Sequence, residues 1–278
     1  MISLDRKDAI YQDFHMHTHF CDGKNSPEEM ILSAIDKGLK TVGVCLHSVV
    51  DQSIQEYVDL EKEKNFCEEM KVLKEKYKDK INVLCGIEWD LLTLNSVGEY
   101  DYVIGSSHFI RKDDKYFFID RSEKEFLRTA KEAFNGDYYA FAEYYFAQIE
   151  RIFDVAKVDI IGHIDLITKF NEGNKYFDVK NPRYVKAYQK AIDKLVTFNK
   201  PFEINTGAMA RGYRTEPYPH KTILKMILDN GGNIIFSSDC HNKEHLDYGF
   251  LEAARIAKEV GFQSHAIVTR EGIKYIQI

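Results

Sequence analysis

The chain is poor in the features that mark several protein classes. Its five cysteines (Cys21, Cys45, Cys67, Cys85 and Cys240) are odd in number, scattered, and include no CxxC pair. That argues against a disulfide framework or a purely structural zinc site and fits a reduced, cytoplasmic protein with free thiols. With five prolines and no Pro- or Ser-rich tract there is no visible linker, and the sequence reads as one domain over residues 1–278. No apolar run approaches the roughly 18–20 residues that cross a bilayer. The opening MISLDRKDAI is charged where a secretory signal needs an apolar stretch. A basic excess is missing too: 38 Lys+Arg against 44 Asp+Glu gives 38 − 44 = −6, which weighs against sequence-independent nucleic-acid binding and leaves only a local basic site open. What remains, 44% hydrophobic and 29% charged residues over 278 positions, is the composition of a soluble globular enzyme with room for a large core.

Short apolar runs alternate with helical stretches. The runs are Tyr11–Phe14, Thr41–Leu46, Ile81–Ile87, Tyr100–Ile104, Val158–Ile161, Phe202–Ile204 and Asn233–Phe236, with Ala266–Val268 as a candidate eighth. Between them, Ser26-Pro27-Glu28-Glu29 forms a capping box with proline at the first helical position, and Met30, Ile31, Ala34 and Ile35 follow at helical spacing until Gly38. Helical periodicity also runs over Ile54–Tyr77, Glu123–Phe134, Tyr138–Ala156, Arg183–Phe198, His220–Leu228 and Gly249–Val260, while Tyr100–Asp120 is irregular enough to hold a hairpin. Such alternation predicts an α/β fold with a mainly parallel sheet, open or closed into a barrel.

Each run is followed by polar side chains. The strand ends carry His15 and His17, His47, Glu88, His108, His163, Glu203-Ile204-Asn205, and Asp239 with His241, so that six of the ten histidines fall at or just past a predicted strand end. In a parallel barrel those ends meet at one mouth, where catalytic groups collect. Residues two apart on a strand share a side, so His15 and His17 can grip one ion together, as can Asp239 and His241. Imidazole and carboxylate suit Zn, Mn or Fe. His15, His17, Asp22, His47, Glu88, His108, His163, Asp239 and His241 exceed the needs of one ion and would serve two or three, with Glu88 as the expected bridge because a carboxylate has two oxygens. His19, His220, His245 and His265 fall outside the pattern, the last two as structural residues. Cys240 is expected to pack away from the ions, and Cys45 to lie one layer below His47.

These residues also carry a resemblance. Asp13-Phe14-His15-Met16-His17-Thr18 with Cys21-Asp22-Gly23, then Val44-Cys45-Leu46-His47-Ser48, Gly86-Ile87-Glu88, Gly105-Ser106-Ser107-His108-Phe109, Ile161-Gly162-His163-Ile164-Asp165 and Ser237-Ser238-Asp239-Cys240-His241 resemble, in order, the motifs of the polymerase-and-histidinol-phosphatase (PHP) metallohydrolases. Chain length and Glu203-Ile204-Asn205-Thr206-Gly207 before Tyr218-Pro219 are most similar to the histidinol-phosphate phosphatase branch. The resemblance implies a distorted (β/α)7 TIM-like barrel and three divalent ions. The first would take His15, His17, Glu88 and Asp239, the second Glu88, His108 and His163, and the third Asp22, His47 and His241. Asp22 stands where some members carry histidine, which hardens the third site toward oxygen-preferring ions. The implied reaction is hydrolysis of the small-molecule phosphate monoester L-histidinol phosphate, a step of histidine biosynthesis.

On that basis a hydroxide held between the first two ions, its pKa brought to about 7, attacks phosphorus in line. The leaving alkoxide is protonated by Asp239, by a water on the third ion, or by His220. Arg211, and next to it Arg214, is expected to meet the phosphate with a guanidinium fork, with Lys169 as a weaker candidate. Another phosphoesterase of the family, acting on protein tyrosine phosphate or nucleotides, is the nearest rival. An amidohydrolase would bridge its ions with a modified lysine where this chain offers Glu88. An inert metal-binding module would be expected to have lost ligands.

Overall fold

The computed structural model describes residues 12–51, 53–54 and 58–278. Tyr11 of the first expected strand and residues 55–57 of the expected 54–77 helix lie outside them. Seven strands, β1 (Gln12–Asp13), β2 (Thr41–His47), β3 (Asn82–Asp90), β4 (Tyr102–Ser106), β7 (Ile160–Ile161), β8 (Phe202–Asn205) and β9 (Ile234–Ser237), form one sheet in that order with every pairing parallel. Just beyond β1 and β9 the chain closes on itself: Met16 bridges Cys240 in parallel and the His17 amide donates to the Cys240 carbonyl at 2.8 Å. The result is a nearly closed seven-stranded barrel, a distorted TIM barrel.

Two strand pairs stand outside it. β5 (Phe109–Lys112) and β6 (Lys115–Phe118) form the hairpin expected between Tyr100 and Asp120, turning through Asp113 and Asp114 at φ 50° and 56°. The candidate eighth strand exists as β10 (Ser264–Thr269), but it pairs antiparallel with β11 (Gly272–Gln277) instead of joining the barrel. Its Ala266 and Val268 pack with Phe14, Cys45, Leu84, Tyr102, Ile104, Ile160 and Ile235 of the barrel interior.

Alternation sorts the strand residues. On β2, Val42, Val44 and Leu46 face outward and pack with Met30, Ile31 and Ala34 of α1 (Pro27–Asp36) and Phe66, Met70 and Leu73 of α2 (Leu60–Tyr77). Gly43, Cys45 and His47 face the interior. α1 begins as expected: the Ser26 hydroxyl accepts from the Glu29 amide at 3.2 Å and Glu29 Oε2 accepts from the Ser26 amide at 3.0 Å. α2 starts later than its periodicity suggests, because Asp59 is extended and caps Lys62 N at 2.8 Å. The expected 138–156 helix divides at Arg151, whose backbone is non-helical, into α4 (Tyr138–Ile149) and α5 (Ile152–Val155). The remaining helices are α3 (Glu123–Phe134), α6 (Pro182–Leu195), α7 (Gly207–Ala210), α8 (Lys221–Asp229) and α9 (Phe250–Val260). Among the described residues no helix is long and apolar enough to cross a membrane.

The interior narrows around Tyr102. Its ring lies where a Cβ on Gly43 or Gly86 would be, its hydroxyl donates to the Phe14 carbonyl at 2.5 Å, and Cys45 Sγ is 3.1 Å from the same hydroxyl. Glycine on two adjacent strands is therefore what lets a tyrosine span the barrel beneath the mouth. Gly43→Ala is expected to cost about 1–3 kcal/mol or more, as overpacked cores do. Urea unfolding would read it, and a midpoint equal to that of the unaltered chain would mean that Tyr102 does not fill this space.

Candidate active site

The sheet register sets the first contact of the site. β2 and β3 pair His47 with Glu88 at their C-terminal ends, and both side chains point into the mouth. Five histidines then surround the buried Glu88 carboxylate. Its Oε2 lies 3.2 Å from His15 Nε2, 3.3 Å from His17 Nε2 and 3.1 Å from His47 Nδ1. Its Oε1 lies 3.2 Å from His108 Nε2 and 3.0 Å from His163 Nε2. Asp239 Oδ1 approaches His15 and His17 Nε2 at 3.9 and 3.8 Å. Asp22 spans the outer edge, 3.4 Å from His47 Nε2 and 3.3 Å from His241 Nε2. All nine side chains expected to bind ions are thus brought to one place by seven segments of chain.

Electrostatics follow from this crowding. Burial alone would raise the Glu88 pKa, but His108, His15 and His47 hold it well below the usual carboxylate range. Asp239 is depressed likewise: Arg211 and then His15 outweigh its burial. His15 is pushed well up, since Glu203, Glu88 and Asp239 overcome a desolvation that acts the other way. His108 rises to about 10, with Glu88 and Asp90 overcoming burial. His17 falls to about 3, because burial is reinforced by its neighbours His47 and His241. The ionised carboxylates and His17 are thus in the states that metal ligands need, whereas His15 and His108, raised by those same carboxylates, would each give up a proton when an ion takes their ring nitrogen.

The donor set also fits ions by spacing. Ligand atoms about 2.0–2.2 Å from one ion stand about 2.8–3.6 Å apart in tetrahedral or octahedral arrangement, and the Glu88 contacts with histidine run from 3.0 to 3.3 Å. His15 Nε2 and His17 Nε2 face each other at 3.1 Å, a meeting of ring nitrogens that a shared cation explains. Among the described residues, four overlapping groups could hold a metal: His17, His47 and His241; His15, His17 and Asp239; His17, Cys21 and Asp22; and His47, Glu88 and His108.

Other expected residues are placed unequally. Arg211 ends α7, and Gly212 turns beside it at φ 75°. Its guanidinium donates to the Asp239 carbonyl at 2.7 Å and to Asp239 Oδ2 at 3.0 Å while lining the cavity. Lys169 also lines the cavity, with Nζ 3.0 Å from Asp120 Oδ2 and 2.8 Å from the Asp120 carbonyl. Arg214 does not reach the cavity lining. It is buried, bonded to Thr168 and laid over the Tyr218 ring at 4.7 Å. His220 is likewise off the lining: it caps α8, its ring is turned to Thr222, and its amide is bonded to Asp165. Cys240 packs outward beside Met16 and Leu246, Cys45 sits beneath His47, and His265 packs on Phe236 at 4.8 Å.

Two neighbours of the cluster have roles that the strand-end pattern does not assign: Glu203, which it names only as a polar strand end, and Asp90. Glu203 Oε1 holds His15 Nδ1 at 2.7 Å, and Oε2 accepts from the His163 amide at 3.0 Å and Asn205 Nδ2 at 3.2 Å. Asp90 Oδ2 accepts from the His108 amide at 2.7 Å and lies 3.3 Å from its Nδ1. Both were within reach of the alternation rule, since Glu203 shares a strand face with Asn205 and Asp90 with Glu88. Gly207 leaves room that a Cβ would take from Asp239 and Arg211, at 2.7 and 2.9 Å. A cavity of about 580 Å3 opens over this cluster.

A nearly closed parallel barrel with a histidine and carboxylate cluster at its C-terminal mouth is the architecture of a barrel hydrolase site. The PHP domain family model matches residues 13–207, and the chain belongs to that family. Asp239 and His241 lie beyond the matched residues. The chain is 26% identical over 277 residues to the "Probable histidinol-phosphatase" of Schizosaccharomyces pombe, covering 92% of this chain and 89% of the relative. Two solved structures share the fold. A candidate histidinol phosphatase of Listeria monocytogenes superposes with a TM-score of 0.73 at 19% identity over 87% of this chain and 99% of its own. The histidinol phosphate phosphatase of Lactococcus lactis, complexed with zinc, L-histidinol and phosphate, gives 0.65 at 21% identity over 95% and 98%.

Proposed function

We propose that this protein is a metal-dependent phosphomonoesterase that hydrolyses L-histidinol phosphate to L-histidinol and phosphate. The observation that carries the reading is the convergence of five histidines on the two oxygens of Glu88, beside Asp239 and a guanidinium. The S. pombe relative's name and the Lactococcus complex support the substrate. His15, His17, Glu88 and Asp239 would hold one ion, Glu88, His108 and His163 a second, and Asp22, His47 and His241 a third, with Zn, Mn or Fe suited to the imidazole and carboxylate set. Bound there, divalent ions acidify water to make a nucleophile near neutral pH and neutralise phosphoryl charge. Glu88 would serve two ion positions, since one oxygen faces His15, His17 and His47 and the other His108 and His163. Asp239, ionised and facing the cavity, would take the proton that the attacking water gives up and pass it to the leaving alkoxide as the P–O bond breaks, releasing the alcohol. Arg211, anchored on Asp239 and about a quarter exposed, presents its remaining donors to the phosphoryl oxygens.

The test is phosphate release by Mn- or Zn-loaded protein from L-histidinol phosphate, a tyrosine phosphate, a nucleoside monophosphate and p-nitrophenyl phosphate. Histidinol phosphate is expected to lead in kcat/KM by at least about 100-fold, the size of a difference resting on a few buried polar contacts. Similar rates on all four would leave a phosphoesterase without this substrate. Arg211→Ala is expected to raise KM for the phosphomonoester about 10- to 50-fold, the worth of a charge-assisted contact, while bound metal falls less than about threefold. Unchanged kinetics would remove Arg211 from the phosphate site.

A further inference from the structure

On the outer side of the barrel two cysteines meet across the contact between α2 and β3. Alternation on β3 turns Leu84 and Glu88 inward and leaves Val83 and Cys85 against the helix. Cys67 of α2 packs on the same apolar cluster, and its thiol shares a hydrogen bond with that of Cys85. Neither is in a disulfide. Two anchors hold the pair in register. Asp101 Oδ2 accepts from the Cys85 amide at 2.7 Å and from Lys74 Nζ of α2 at 2.7 Å, which ties the helix to the strand at the cysteine itself. Glu63, one helical turn before Cys67 and buried, accepts from Ser96 Oγ, from the Val97 amide at 3.1 Å and from the Tyr100 hydroxyl at 2.6 Å, which folds residues 96–100 over the helix.

The two thiols are unequal in ways that suit them to successive steps. Cys67 is partly exposed and Cys85 is 4% exposed, so a reagent from solution meets Cys67 first. The Cys85 thiol and the Glu99 amide donate to Cys67 Sγ and hold its pKa below the usual thiol range, while the same contact and burial push that of Cys85 up. The phosphatase reading uses neither residue, and neither lines the cavity. Two small apolar side chains filling a helix–strand seam would explain the burial of Cys85. They would not explain a partly exposed Cys67 whose sulfur collects donors.

The structure assigns Cys67 and Cys85 as a thiol–disulfide exchange site that takes a low-molecular-weight disulfide and closes a bond between α2 and β3. The Cys67 thiolate, its proton lost to water, attacks one sulfur of the small disulfide and expels the other as a thiolate, leaving a mixed disulfide. Cys85 gives its proton to that thiolate, and its sulfur attacks Cys67 Sγ. The second small thiolate leaves and takes up a proton from water. Two protein thiols are oxidised and one small disulfide is reduced to two thiols. The metal-loaded full chain is equilibrated with glutathione buffers of rising oxidised fraction, quenched, alkylated in denaturant and mapped by mass spectrometry. A Cys67–Cys85 cross-link is expected as the main product. Cys67→Ser is expected to lower thiol loss at Cys85 at least about tenfold, since a buried thiol has no route to the reagent. Cys85→Ala is expected to keep a stable glutathione adduct on Cys67, with no second thiol to displace it. If neither variant folds, the map of the unaltered chain decides alone. A stable adduct on Cys67, a bond from Cys67 to another cysteine, or both thiols still free in the most oxidising buffer would each overturn the pair.

Discussion

Glu88→Gln is expected to lower phosphate release by at least about 10³-fold and to leave the purified protein with less than half its metal. Glutamine keeps the volume and removes the charge. In the present site Oε2 faces His15, His17 and His47 between 3.1 and 3.3 Å, and Oε1 faces His108 and His163 at 3.2 and 3.0 Å. An amide can offer an oxygen to one of these groups only. Its NH2 then points at ring nitrogens whose lone pairs are wanted for ions, and the negative charge that favours cations at the centre is gone. Loss of one well-placed electrostatic group in a water-poor site typically costs about 10²–10³ in rate, and here the same side chain faces two of the proposed ion positions. The change is read by metal analysis of the purified variant beside its kcat/KM. A variant with full metal content and activity near that of the unaltered chain would mean that Glu88 is a structural carboxylate and that the reaction is carried elsewhere.

How much of this site could be read from sequence depends on the range of the interaction. Eight of the nine cluster residues are legible because they sit at the ends of apolar runs, and a parallel barrel brings such ends together whatever the loops do; Asp22, in the loop after β1, is legible only through the motif it shares with Cys21 and Gly23. The capping box at Ser26 was legible for a local reason, a hydroxyl and a carboxylate three residues apart. Arg211 and Arg214 looked equivalent in Arg211-Gly212-Tyr213-Arg214. Only the turn at Gly212 separates them, sending one guanidinium to Asp239 and the other to Thr168 beneath the surface. The helical periodicity from His220 marks the start of α8, but the position of His220 as its cap turns the ring to Thr222 and away from the mouth. β10 carried a strand pattern, and its partner β11 was hidden because its exposed face shows little apolar alternation. Asp120 had no local signal at all. Its place depends on the length of a hairpin and on a lysine forty-nine residues further on.

Glu203→Gln is expected to weaken metal binding by about 10- to 100-fold, through histidines it orients and with no ion of its own. Second carboxylates behind ligating histidines typically have effects of that size. Glu203 is fully buried, and its two oxygens do different work. Oε1 takes His15 Nδ1 at 2.7 Å, which fixes the proton on that nitrogen and turns the Nε2 lone pair toward Glu88 and Asp239; Oε2 accepts from the His163 amide at 3.0 Å. Glutamine has one oxygen for these two donors. If it serves His15, an NH2 is pressed against the His163 amide and a buried donor goes unmatched, at a cost of about 1–3 kcal/mol. If it serves His163, the NH2 donates to His15 Nδ1, the proton moves to Nε2, and the ring loses the lone pair that an ion would use. The same substitution logic explains why an amide in place of a triad carboxylate abolishes most activity with the geometry intact. Chelator competition for zinc, run beside thermal unfolding, separates the two outcomes: the first lowers the melting temperature, and the second lowers affinity at nearly unchanged stability. Glu203→Gln with both properties unaltered would mean that His15 keeps its tautomer without the carboxylate.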